Sequence, residues 1–64
     1  MQNHHQALTD IQAAVRAIRQ QLDDHLAEGT MGIDRDDVEW LHVVQNLLVC
    51  ADADLDIVIG RVKP

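Results

Sequence analysis

Hydrophobic residues recur along the first half of the chain in alternating steps of three and four positions. This spacing places them on one side of an α-helix and is typical of helices that pack lengthwise against a neighbour. We predict a first helix over about residues 4–28, capped by Asn3 or Thr9 and ended by Gly29, because glycine favours helix C-termini. The residues expected to pack are Leu8, Ile11, Val15, Ile18, Leu22, His25 and Leu26.

A second helix is predicted over about residues 34–62, with the side chain of Asp34 as its N-terminal cap. It carries two adjacent apolar rows where the first helix carries one. The first row consists of Leu41, Val44, Leu48, Ala51, Leu55, Val58 and Val62. The second row consists of Trp40, Val43, Leu47, Cys50, Asp54 and Ile57. The stretch 55–62 is rich in β-branched residues, so a strand is the alternative there.

The connection between the two helices, residues 29–33, is short enough to make them antiparallel neighbours. A single apolar stripe on the first helix cannot cover both rows of the second. Large exposed apolar patches are rare on soluble monomers. We therefore predict an all-α, two-helix antiparallel hairpin that occupies residues 1–64 as a single domain and dimerises into a four-helix bundle.

Composition narrows the range of functions. A chain of 64 residues is too short to form a deep catalytic cleft, and its single cysteine, Cys50, excludes an intrachain disulfide and suggests a reducing compartment. No segment resembles a signal peptide or a membrane-spanning run, so we expect a cytoplasmic protein without membrane contact. The formal net charge of −6 argues against direct nucleic-acid binding, which depends on basic residues.

Two motifs with metal-ligand spacing are incomplete. Asp52, Asp54 and Asp56 have the spacing that begins a calcium-binding loop, but Ile57 replaces its glycine and Lys63 its final glutamate. The string from Glu39 to His42 has the spacing of a di-metal helical bundle, yet the first helix has only Glu28 to contribute, at its end. We predict no metal ion.

No residue is predicted to be catalytic. Cys50 has no histidine close in helical register to activate it, and His25 is expected at the edge of the packed surface. We therefore predict a protein that is not an enzyme, with no cofactor and no small-molecule substrate.

The predicted function is protein binding as an adaptor, chaperone or inhibitor. The predicted interface is the second row, Trp40, Val43, Leu47, Cys50, Asp54 and Ile57, which serves either self-association or a partner protein. A separate acidic face is expected from Asp36, Asp37, Asp52 and Asp56. The alternatives are an acidic mimic of nucleic acid that blocks a DNA- or RNA-binding protein, and a hairpin-dimer RNA-binding regulator, which the charge disfavours.

In size and layout, without a shared motif, the chain resembles three kinds of small helical protein. They are plasmid-encoded RNA-binding regulators that are dimers of hairpins, hairpin co-chaperones of type III secretion, and phage proteins that disable host regulators. The resemblance implies a hairpin that acts through a partner molecule.

Overall fold

The chain folds into two α-helices joined by a short turn. The computed structural model describes residues 3–62, in which α1 spans His4–Glu28 and α2 spans Arg35–Arg61. The helices lie side by side and form a rod of 47 × 16 × 15 Å. The predicted all-α hairpin is confirmed. The strand alternative is wrong, because residues 55–61 continue α2.

The helix ends follow from a few local interactions. Asn3 is the cap of α1, where its Oδ1 accepts a hydrogen bond from the backbone N–H of Gln6 at 3.1 Å. Gly29 and Gly32 take positive φ angles of 133° and 90°, which lets the chain reverse. Asp34 precedes α2, but its side chain makes no capping hydrogen bond, in contrast to the prediction. Its carbonyl oxygen instead accepts from the N–H of Val38.

The two helices pack through an inner seam that differs from the predicted one. Leu8, Val15 and Leu22 lie in it as expected, whereas Ile11 and Ile18 remain 50% and 54% exposed. On α1 the inner seam consists of Leu8, Gln12, Val15, Arg19, Leu22 and Leu26. On α2 and the residue that follows it, the inner seam consists of Val38, Leu41, Gln45, Leu48, Asp52, Leu55, Ile59 and Val62.

The predicted packing positions His25, Val44 and Val58 are also exposed, so the seams of both helices differ from the predicted ones. A helix turns by about 100° per residue, and every second seam position has moved by one residue, so the observed seams are rotated by about 50° from the predicted ones. The difference is systematic. On each helix, where the seams differ, the residue that lies in the observed seam is the one that follows a predicted position, and it is polar or larger than the residue it replaces there.

Hydrogen bonds between the helices explain this rotation. Gln12 is the one buried residue between positions 3 and 62, at 7% exposure, and its Nε2 donates to the backbone oxygen of Asp52 and to the carboxylate of Asp56. Arg16 donates from Nε to the Asp52 carboxylate at 2.8 Å. A buried amide without partners is costly, so these bonds make the inward position of Gln12 tolerable.

A second cross-link near the turn has the same effect. Gln45, which lies in the inner seam of α2, donates from Nε2 to the carboxylate of Asp23 at 2.7 Å. With Gln12 and Gln45 both directed toward the opposite helix, Ile11 and Ile18 are turned outward. The polar bonds thus determine which hydrophobic residues the hairpin leaves uncovered.

Replacing Arg16 tests this polar contribution. Arg16→Ala removes a hydrogen-bonded ion pair whose carboxylate, on Asp52, is 17% exposed, although the arginine itself is largely exposed. We expect a loss of about 0.5–1 kcal/mol in the free energy of unfolding, measured by urea denaturation at fixed protein concentration. Arg35→Ala is the matched control, because Arg35 forms no ion pair with the residues that the structure describes. Equal losses in the two variants would contradict the assignment.

Candidate protein-docking surface

The part of the hairpin that the structure describes has no hydrophobic core. Among residues 3–62 no hydrophobic residue is buried, and ten large apolar side chains are exposed. The accessible surface is 5138 Å², whereas a compact monomer of 7.2 kDa exposes about 4,100 Å² by the mass scaling of folded proteins. This chain therefore exposes about 1,000 Å² more surface than a compact monomer of its mass.

Exposed hydrophobic residues from both helices lie on one side of the hairpin, whereas the exposed Val49 follows the seam residue Leu48 and lies on the other side. Arg16 and Asp56 mark one side of the inner seam, across which they lie 3.7 Å apart. Each of them follows a seam residue by four positions. Ile11, Ile18 and Val58 each precede a seam residue by one position, which directs them to the opposite side of the seam. We name this side the apolar face. It consists of Ile11, Ile18, Val44, Leu47, Ala51 and Val58.

The apolar surface of α2 continues around the helix, away from α1. Val43, Cys50 and Ile57 recur every seven residues and form what we call the back strip. All three are exposed, as are Trp40 and Asp54. All six residues of the predicted interface are therefore exposed and adjacent on α2: Trp40, Leu47 and Asp54 each precede a seam residue by one position and lie on the side of the apolar face, and the back strip lies beside them.

Trp40 lies at the turn end of α2 and is 68% exposed. Together with Asp36, Glu39 and Val43 it lines a depression on the surface. An indole ring beside two carboxylates is suited to an incoming basic side chain, since a cation is attracted both by the ring face and by the acids. Trp40 is therefore not packed within the hairpin.

The predicted acidic face is not a single surface. Asp36 and Asp37 are exposed in the first turn of α2, where carboxylates also suit the helix dipole. Asp52 lies elsewhere than predicted, because it belongs to the inner seam and accepts a hydrogen bond from Arg16. Asp56 is more exposed but also faces Arg16, at 3.7 Å.

The negative charge is instead concentrated at one end of the rod. Seven of the eleven acidic residues and one of the five basic residues lie between positions 23 and 39, and the remainder of the chain has four of each. These seven define the acidic end: Asp23, Asp24, Glu28, Asp34, Asp36, Asp37 and Glu39. The formal net charge of −6 therefore belongs to the turn and the helix ends that flank it.

The residues that were considered for metal binding or catalysis are dispersed. Over residues 3–62, no three histidine, cysteine or acidic side chains are gathered around a common point that would hold a metal ion. The Nδ1 atom of His42 lies 2.8 Å from Oε1 of Gln45, and Cys50 is an exposed free thiol. Neither described helix combines the length and hydrophobicity needed to cross a bilayer.

Comparison of the chain with known protein families, curated proteins and solved structures finds no match. The apolar face, the back strip and the acidic end are the features of this chain that bear on its function.

Proposed function

We propose that the chain is a non-enzymatic protein-binding module that works as a dimer of helical hairpins. One observation carries the proposal: no hydrophobic residue is buried among residues 3–62, although ten large ones are exposed. Small chains of this kind gain a core by association, and two hairpins placed face to face form a four-helix bundle. The apolar face of each copy then becomes the interior of the bundle.

The partner protein is proposed to bind the back strip. Residues of the back strip lie about 100° around α2 from the centre of the apolar face, so a second hairpin on that face leaves them exposed. Val43, Cys50 and Ile57 offer the spacing that the apolar side of an amphipathic helix can follow. A basic residue of the partner next to Trp40 would complete the contact. An adaptor, chaperone or inhibitor would use such a surface.

A cytoplasmic location fits this proposal. Cys50 is an exposed free thiol in the back strip, and it stays reduced and available for packing only where thiols are kept reduced.

The dimer is tested by one substitution in each of the two surfaces. Leu47→Asp places a charge in the middle of the apolar face, whereas Val43→Asp places the same charge on the back strip. Burial of a leucine contributes about 1.5–3 kcal/mol, so we expect Leu47→Asp to weaken dimerisation by at least roughly 100-fold and to lower the helical signal. Light scattering gives the mass, and the fluorescence of Trp40 reports the change in exposure.

Val43→Asp is the matched control and is expected to retain the mass of the wild type. A monomeric, fully helical wild-type protein would overturn the dimer. Equal dissociation by the two variants would show that the apolar face is not the specific contact.

The acidic end favours a second candidate, mimicry of nucleic acid. Seven carboxylates at one end of a narrow rod present a dense negative charge to a basic protein surface.

If the chain is such a mimic, a nucleic-acid-binding protein retained on the immobilised wild type should be released by duplex DNA. It should also be released when the salt concentration is raised from about 0.1 M to about 0.3 M, because salt screens the charges. Asp34→Asn, Asp36→Asn and Asp37→Asn combined should abolish retention. Retention that is insensitive to DNA would exclude the mimic.

A further inference from the structure

We propose that the second copy lies on the apolar face with its turn at the opposite end of the bundle, so that α2 of one copy packs antiparallel against α2 of the other. The inference rests on the dimer proposed above. It adds the arrangement of the two copies, which determines where the two acidic ends and the two back strips are presented to a partner.

A second copy has the size that the exposed surface requires. The hairpin exposes about 1,000 Å² more than a compact monomer of its mass, and stable interfaces bury about 800 Å² on each partner. The apolar face is made by both helices and extends along most of a 47 Å rod, from Val44 near the turn to Ile11 and Val58 near the open end. A surface of this length and width fits another hairpin better than a single helix.

Two symmetric arrangements bring the two apolar faces together. With the two-fold axis parallel to the helices, both turns lie at the same end and α1 contacts α2 of the second copy. With the axis across the helices, the turns lie at opposite ends and like helices contact each other. Every neighbouring pair is antiparallel in both arrangements, so helix packing alone does not distinguish them.

The distribution of charge distinguishes them. Turns at the same end would bring together two acidic ends, each carrying the whole formal net charge of −6 of its chain. Helices in contact are about 10 Å apart, close to the Debye length of about 8 Å at physiological salt, so this repulsion is only partly screened. Turns at opposite ends separate the acidic ends by the length of the rod. Each acidic end then lies near the end of the second copy that contains Arg61.

The two copies can be located by spin labels and pulsed dipolar spectroscopy. One sample carries a label on the native Cys50, which is exposed on the back strip near the middle of α2. The other carries it on Met31→Cys in a Cys50→Ala background, since Met31 is fully exposed in the turn. Neither label is on the apolar face, and the mass of each labelled protein is measured in parallel.

We expect a distance of about 25 Å or less between the two Cys50 labels, and more than about 40 Å between the two turn labels, since helices of this length span about 40 Å. A turn-label distance below about 25 Å in a protein of dimer mass would overturn the proposed arrangement and leave the dimer intact. A monomer mass would overturn the dimer itself, and the arrangement with it.

Discussion

A layer of two α-helices has no interior, because each helix faces its neighbour on one side and solvent on all the others. Folded domains bury their hydrophobic residues between at least two layers. In this hairpin even the hydrophobic residues of the inner seam remain partly exposed, and the one buried position between residues 3 and 62 is occupied by Gln12. The rest of the structure depends on this constraint, and we propose that a second layer supplies the interior that the hairpin lacks.

The two sides of the hairpin contribute to that architecture in different ways. The side with Arg16 and Asp56 is polar, and its hydrogen bonds fix how each helix is rotated against the other. This rotation gives the opposite side its hydrophobic character, because it turns Ile11 and Ile18 out of the inner seam. The same polar bonds that hold the hairpin therefore expose the surface by which we propose that it assembles.

The sequence was sufficient to predict the helices and their pairing. A periodic pattern over some twenty residues, with Asn3 before α1 and glycines in the turn, is a local signal, and the observed helix limits lie within one residue of the predicted ones. The inner seam was not predictable in the same way. Leu8, Val15 and Leu22 belong equally to the predicted and the observed seam, so hydrophobicity alone does not say which flanking position turns inward.

What decides between the two seams is a set of long-range polar pairs. Gln12 meets Asp52 and Asp56 only in one register of the two helices, and no spacing along a single helix reveals that register. For the same reason Asp52 was assigned to an acidic face although it lies in the inner seam. The apolar pattern of a helix includes every surface that favours burial. The predicted seam therefore combined the contact between the two helices with the surface that we propose a second copy covers.

The dependence of the fold on a second layer is tested most directly by thermal unfolding, followed by circular dichroism at protein concentrations that span two orders of magnitude. Because folding and association are coupled in this account, the midpoint temperature should rise steadily with concentration. A sharp transition whose midpoint is the same at every concentration would show that the hairpin is stable alone, and would contradict the claim.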